Sequence, residues 1–268
     1  MKPDKKLERL RKVIAGMDSV LVAFSAGVDS TFLLKVASMV LPRNKILAVT
    51  ASSATYPREE LLLAKDIARA FGVRHKVIKT QELKDKRFSA NPVNRCYFCK
   101  RELFGRLKAI AKRFKLNFVL DASNISDKED FRPGSKARKE FRVRSPLQES
   151  GFTKEDIRIS SRKLGLATWD KPTLACLASR IPYGRKITAR LLARVNEAEI
   201  FLRQLGFYQA RLRHYNGLCR IEVPKKDIPG IIRHDKVIVE KLKSLGYNYI
   251  TVDLEGYRTG SLNEVIKR

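Results

Sequence analysis

Val20-Leu21-Val22-Ala23-Phe24-Ser25-Ala26-Gly27-Val28-Asp29-Ser30-Thr31-Phe32-Leu33-Leu34-Lys35-Val36 decides the fold. The apolar run 20–24 reads as a buried strand, the small residues 25–30 as a tight turn, and Thr31 onward as a helix. Together these make an anion site. N–H groups without intrahelical acceptors converge at the helix start, and the helix dipole adds partial positive charge. Small side chains let a phosphate approach the backbone, and Ser25 and Ser30 add hydroxyl donors. The Gly-Lys-Ser/Thr ending of a Walker loop is absent, which excludes that kind of nucleotide loop.

Outward from the turn, 46–50, 76–78 and 118–121 read as further short strands, with helices near 31–41, 58–71 and 98–115. In the last helix Leu103, Leu107, Ile110 and Phe114 recur on one face. Such alternation implies right-handed crossovers and an α/β fold with a parallel sheet. Ligands of these sheets sit beyond the carboxyl ends of the strands. The expected nucleotide pocket is therefore Ser25, Ala26, Gly27, Val28, Asp29 and Ser30, with Thr50, Ser52, Asp121 and Asn124. The turn resembles the PP-loop, Ser-Gly-Gly-x-Asp-Ser, of enzymes that split ATP into AMP and pyrophosphate. Ala26 stands where those loops usually carry glycine; if the position needs positive φ, alanine costs about a kcal/mol there.

Pro133, Gly134 and Pro146 mark an irregular crossing, after which Thr153-Lys154-Glu155-Asp156 resembles a capping box opening a helix that Gly165 closes. A helix over 188–205 follows a loop containing Pro172, Cys176, Pro182 and Gly184. The pattern then changes. Asn216-Gly217 between the alternating runs 210–214 and 218–223 signals a hairpin, followed by a helix near 236–245 and a strand near 249–254. The expected division is an ATP pyrophosphatase-like domain over 1–185 and a small α+β substrate or oligomerisation domain over 186–268.

With 268 residues and 44% hydrophobic content, the chain can bury a real core. No apolar run approaches the roughly 20 residues of a membrane span, and Met1-Lys2-Pro3-Asp4-Lys5-Lys6 lacks a signal-peptide apolar region. A cytoplasmic location without membrane contact is expected. Lys+Arg 56 against Asp+Glu 28 gives +28, which points to an anionic partner: RNA, or phosphorylated and carboxylated small molecules. The densest basic stretch holds Arg132, Lys136, Arg138, Lys139, Arg142 and Arg144, but cations are spread along the whole chain.

Cys96-Tyr97-Phe98-Cys99 lies at the mouth of a helix, Cys176 in a kinked loop, and Cys219 alternates with Ile221 and Val223 as a core cysteine does. A redox dithiol would follow a strand in a thioredoxin-like unit. Structural zinc needs four ligands, and His75, His214 and His234 are scattered. An iron–sulfur cluster usually takes four cysteines; three leave one iron open. On the residues alone, a cluster and simple packing both stay open.

Further stretches narrow the reading. Asn91-Pro92-Val93-Asn94-Arg95-Cys96-Tyr97-Phe98-Cys99-Lys100, Phe131-Arg132-Pro133-Gly134, Ser145-Pro146-Leu147 and Trp169-Asp170-Lys171-Pro172 join two more discriminating ones. These are Cys176-Leu177-Ala178-Ser179-Arg180-Ile181-Pro182-Tyr183-Gly184 and Asp253-Leu254-Glu255-Gly256-Tyr257-Arg258-Thr259-Gly260-Ser261-Leu262-Asn263. Over nearly the whole chain they resemble the LarE family of ATP-dependent sulfur transferases. The resemblance implies a PP-loop domain with a smaller C-terminal domain, a homo-oligomer, and conversion of pyridinium carboxylates to thiocarboxylates for the nickel-pincer nucleotide of lactate racemase. It implies ATP with Mg²⁺, Asp29 as a metal ligand and Cys176 as the sulfur source. In sacrificial members the matching cysteine loses its sulfur. Members with two further cysteines resemble cluster-binding forms, so Cys96, Cys99 and Cys176 imply a [4Fe–4S] cluster.

Arg180, Arg211, Arg213 and Arg258 are the expected contacts to a small-molecule nucleotide substrate. Arg211 and Arg213, two apart on a strand, share a face, and their planar forks suit phosphate and carboxylate. Glu222, across the hairpin, is a candidate to orient an arginine or bind metal. A tRNA thiolation enzyme is the first rival, favoured by the charge. An ATP-dependent amide synthetase would use ammonia and dispense with Cys176, and a nucleotide-sensing module would release no pyrophosphate.

Overall fold

The computed structural model describes residues 3–128, 133–172 and 175–266; Met1, Lys2, Phe131 and Arg132, quoted above, lie outside them. Two units divide the chain. The first, Met1–Asp85 with Asn94–Leu174, opens with α1 (Pro3–Ala15), β1 (Val20–Ala23), α2 (Val28–Val40), β2 (Ile46–Ser52), α3 (Arg58–Ala70) and β3 (Arg74–Lys79). After α4 (Lys86–Ser89), which belongs to the second unit, it resumes with α5 (Arg95–Arg113), β4 (Phe118–Leu120), α6 (Gly134–Glu140), α7 (Pro146–Glu149) and α8 (Lys154–Lys163).

The four strands form an all-parallel sheet in the order β3-β2-β1-β4, as the alternating pattern requires. Period-two alternation splits β1, β2 and β4 between two cores. Val20, Val22, Ile46, Ala48 and Leu120 face α1, α2, α3 and α8. Leu21, Leu47, Val49 and Val119 face Phe104, Leu107 and Ala111 of α5 and Ala137 of α6. Cover on both sides explains why β1 and β2 read as nearly continuous apolar runs, whereas the edge strand β3, Arg74–Lys79, is mostly polar. Strand order reverses at β1, whose neighbours β2 and β4 are reached in opposite directions. That switch point is where α/β sheets leave a ligand crevice. Helix α2 starts at Val28, three residues before the expected Thr31, because Gly27 serves as its N-cap. Helix α1 was not anticipated, and α6 and α7 are short helices within the stretch read as irregular.

The second unit, Lys86–Val93 with Ala175–Arg268, contains a 3₁₀ turn at Leu177–Arg180, then α9 (Ala189–Gln204), β5 (Arg211–Tyr215), β6 (Leu218–Glu222), α10 (Ile228–Arg233), α11 (Asp235–Ser244) and β7 (Tyr249–Val252), with further 3₁₀ turns at Lys225–Asp227 and Ser261–Asn263. Strands β5 and β6 are the expected hairpin, and β7 joins β6 in parallel. Asn216 turns the hairpin at φ 58°, a left-handed conformation asparagine tolerates. The sequence reading divided the chain at 185, whereas 86–93 and 175–185 group with the C-terminal residues. Buried Asn91 shows why: its amide donates to the Ile181 and Pro182 carbonyls at 3.2 and 2.7 Å, and its carbonyl accepts from Gly184 N–H. Among the described residues no helix is long and apolar enough to cross a membrane.

The capping box is present. Thr153 Oγ1 accepts from Asp156 N–H at 3.2 Å, and the Asp156 carboxylate accepts from Thr153 N–H at 2.9 Å. Thr153→Ala removes one half of it and lowers the unfolding free energy by about 1 kcal/mol. Urea denaturation should show a lower midpoint at unchanged slope.

Candidate active site

The turn after β1 is shaped by hydroxyls and by two grips on its carbonyls. Ser25 Oγ and Ser30 Oγ lie 3.1 Å apart, and Ser30 Oγ donates to the Gly27 carbonyl. Gly27 leaves room beside Ser25; a Cβ there would sit 3.4 Å from Ser25 Oγ. Ala26 adopts φ 51°, so the position does take the left-handed conformation, with its methyl buried in the α1/α2 core. The Tyr56 hydroxyl donates to the Ser25 carbonyl at 2.8 Å, and Lys171 Nζ to the Ala26 carbonyl at 3.2 Å. Burial, and then Glu60, raises the Tyr56 pKa, so the hydroxyl remains a donor. Lys171 also pairs with Glu60 on the first turn of α3 at 2.6 Å. Among the described residues the Ala26 and Gly27 N–H groups meet no protein acceptor. They are the open donors an anion needs. Asp29 pairs with Lys154 Nζ through both carboxylate oxygens, at 2.8 and 2.7 Å.

The neighbouring strand ends behave differently from one another. Thr50 Oγ1 bonds His75 Nε2 at 2.8 Å, so this hydroxyl serves the β2–β3 pair and not a ligand. Ser52 remains half-buried at the end of β2. Past β4, Asp121 accepts from the Ser145 hydroxyl and from Ser123 N–H and Oγ. Asn124 is buried with its Oδ1 lacking any donor, an acceptor left open beyond the carboxyl edge of the sheet. Sequence reasoning missed Glu82, buried, which takes hydroxyl bonds from Ser53 and Thr55 at 2.5 and 2.6 Å. It missed Tyr56, Lys154 and Lys171 as well. Only Lys171 carried a signal, its place in the quoted Trp-Asp-Lys-Pro stretch.

Cys96 and Cys99 share the first turn of α5, both half-buried. Gly134 lets α6 come close to that turn, since a Cβ would meet Lys100 Cγ at 2.9 Å and the Cys96 carbonyl at 3.5 Å. Cys176 belongs to the second unit and is exposed. Among the described residues no three Cys, His, Asp or Glu side chains stand together as a ready-made metal site. Cys219 is the core cysteine expected, its thiol pushed up to about 12 by burial.

The arginines mostly point inward. Arg180 is 1% exposed and forms a two-point ion pair with Glu199 at 2.7 and 2.9 Å. Its remaining nitrogen donates to the Ala175 and Cys176 carbonyls and to Ser179 Oγ. Arg180 thus holds the backbone that carries Cys176; its donors are spent internally and not on a substrate. Arg213 pairs likewise with Glu222, which accepts from Arg220 too, and reaches the Ser179 carbonyl and Ser261 Oγ. Glu222 therefore orients arginines. Arg211 is buried over the Tyr257 ring; desolvation and then Arg180 push its pKa down. Arg258 pairs with Asp253, Glu255 and Glu264, and Asp253 also pairs with Arg220.

No family model matches the chain. It is 43% identical, over 99% of both chains, to an uncharacterized protein of Synechocystis sp.. It is 36% identical to the pyridinium-3,5-bisthiocarboxylic acid mononucleotide synthase of Lactiplantibacillus plantarum, over 98% of this chain and 95% of that one. An uncharacterized protein of Methanocaldococcus jannaschii is 28% identical over 90% of this chain and 91% of its own.

Burial alone would raise the Glu199 pKa, but Arg180 more than offsets it and holds the carboxyl below its ordinary range. Arg180→Met leaves that buried carboxylate with only the Leu212 N–H and Arg203, 4.0 Å away, and costs about 3 kcal/mol; adding Glu199→Gln recovers much of the loss. A carboxyl depressed in the folded state stabilises above its unfolded pKa, roughly 4.3, and stops doing so as pH falls through the folded value. The Glu199 contribution should therefore be constant down to about pH 5 and be lost below about 4, making the acid fall steeper in wild type than in the double variant. His75 and His214, their pKa lowered by burial, give both proteins a common loss between about pH 7 and 5.

Proposed function

The chain belongs to the LarE family, and on that premise we propose that it is an ATP-dependent sulfur transferase. It converts a pyridinium-carboxylate mononucleotide to its thiocarboxylate in the making of a nickel-pincer nucleotide. The likeness over 98% of the chain to a bisthiocarboxylate synthase carries this reading. The open N–H groups of the turn supply chemistry that suits it.

A carboxylate does not exchange oxygen for sulfur directly, because oxide is a poor leaving group. In the proposed reaction a substrate carboxylate oxygen attacks the α-phosphorus of ATP. The bond from that phosphorus to the bridging oxygen breaks, pyrophosphate leaves, and an acyl-adenylate remains. Ala26 and Gly27 N–H and the α2 N-terminus take up charge on the departing group. Asp29, at the start of α2, suits Mg²⁺, which binds one or two carboxylates together with phosphates and supplies charge neutralisation when present. Lys154 keeps an ammonium beside the same carboxylate.

Cys176 takes part in either of two routes for the sulfur. In the sacrificial route its thiolate displaces AMP, and elimination across Cα–Cβ leaves dehydroalanine and the thiocarboxylate. In the other route Cys96, Cys99 and Cys176 would hold a [4Fe–4S] cluster, which would supply labile sulfide. Two thiols one helical turn apart at a helix N-terminus, where thiolate is favoured, suit that role. Arg211, buried over the Tyr257 ring, is the arginine proposed to meet the anionic substrate. A homo-oligomeric state is part of the same proposal.

With substrate and MgATP, wild type should form AMP, pyrophosphate and thiocarboxylate; Cys176→Ala should abolish the thiocarboxylate while pyrophosphate release continues. Intact mass separates the routes, because sacrifice costs the protein roughly 34 Da of H₂S. Anaerobic reconstitution followed by iron and sulfide analysis tests the cluster, and an iron-free, colourless protein removes it. The +28 charge favours one other reading, tRNA thiolation. That reading requires tRNA binding that weakens steeply with salt. Indifference to tRNA at physiological salt excludes it.

A further inference from the structure

Ala26 is a non-glycine residue in a left-handed conformation at the one turn the proposed chemistry depends on. L-residues other than glycine rarely hold that conformation unless their surroundings over-determine it. The surroundings here are specific. Lys171 Nζ donates to the Ala26 carbonyl and is kept in place by Glu60, with side chains only 16% and 12% exposed. The carbonyl and N–H of a trans peptide point in opposite directions. Lys171, by holding the Ala26 carbonyl, therefore aims the Gly27 N–H the other way. Tyr56 does the same one peptide earlier, holding the Ser25 carbonyl and so aiming the Ala26 N–H. Among the described residues neither of these N–H groups has a protein acceptor.

We propose that Lys171, braced by Glu60, is a positioning residue that holds the left-handed Ala26 peptide so that the turn presents its N–H groups to phosphate. This rests on the reading of the turn as an ATP site. It assigns Lys171 to the backbone of the turn and not to the phosphate itself. A lysine touching phosphate would matter equally whichever residue occupied position 26. A lysine compensating a strained alanine matters less once glycine, indifferent to the sign of φ, takes that place.

The test is a double-mutant cycle of Lys171→Met with Ala26→Gly, read by calorimetric binding of MgATP and of pyrophosphate. Lys171→Met should weaken binding about tenfold in the native background and at most about threefold in the Ala26→Gly background. Any cost of leaving Glu60 unpaired is common to both backgrounds and cancels. Equal losses in the two backgrounds overturn the proposal and make Lys171 a phosphate contact or a general stabiliser. Urea unfolding of the same four ligand-free proteins should show non-additive stabilities. If wild type binds neither ligand, the ATP reading fails, and the unfolding cycle still decides whether Lys171 supports Ala26. Should Lys171→Met not fold, Glu60→Gln replaces it, with the same background dependence expected at smaller size; additivity there is equally fatal.

Discussion

A trans peptide plane cannot turn its carbonyl without turning its N–H, so whatever grips one aims the other. At the end of β1 two carbonyls are gripped, by Tyr56 and Lys171, and two N–H groups stay open. Much of the first unit supports that arrangement. The sheet is buried on both faces, which fixes β1 in register with β2 and β4. Glu82, through Ser53 and Thr55, ties down the loop that carries Tyr56. The Thr153–Asp156 box sets the start of α8, whose first residue, Lys154, meets Asp29. Arg158, one turn further, donates to the Trp169 and Lys171 carbonyls and so fixes the backbone from which Lys171 reaches the turn.

The second unit solves a different problem with a different device. An exposed thiol reacts reproducibly only if its backbone is held, yet the side chain itself has to stay uncovered. Arg180 does this from beneath: Glu199 takes two of its nitrogens, and the third takes the Ala175 and Cys176 carbonyls. Arg213 holds the Ser179 carbonyl in the same way. Such pairs add little stability over well-packed apolar residues, because both charges lose their water. Their use here is geometric. A guanidinium fork with five donors can satisfy a carboxylate and still have N–H groups left for a backbone.

How far the sequence could be read follows from how local each signal is. The parallel sheet, the capping box, the hairpin and the buried Cys219 were legible because each depends on periodicity or on residues a few positions apart. The turn at 25–30 was legible too, including the conformational question that Ala26 raised. Long-range partners were not. Glu60 and Lys171 lie 111 positions apart, Asp29 and Lys154 125 apart. Nothing in the spacing of either pair marks it. Arg180, Arg211 and Arg213 were picked out by type and motif, but a guanidinium that binds a substrate and one that braces a loop read identically. Burial distinguishes them, and burial is a property of the fold. The assignment of 86–93 to the second unit escaped for the same reason, since it hangs on one buried asparagine.

Net charge is likewise a poor guide to where cations act. The +28 total counts Arg180 and Arg213, whose fields are largely cancelled by Glu199 and Glu222 a few ångströms away. It also counts Lys154 and Lys171, each paired with a carboxylate beside the turn. A long polyanion is drawn by unpaired, solvent-facing charge summed over a wide surface. A nucleotide needs only a few donors, converging and desolvated. The cations whose positions the structure makes specific serve neither directly: they orient peptide planes, a carboxylate and a thiol-bearing segment. The charge that sets this chain apart in composition is therefore largely separate from the charge that shapes its sites.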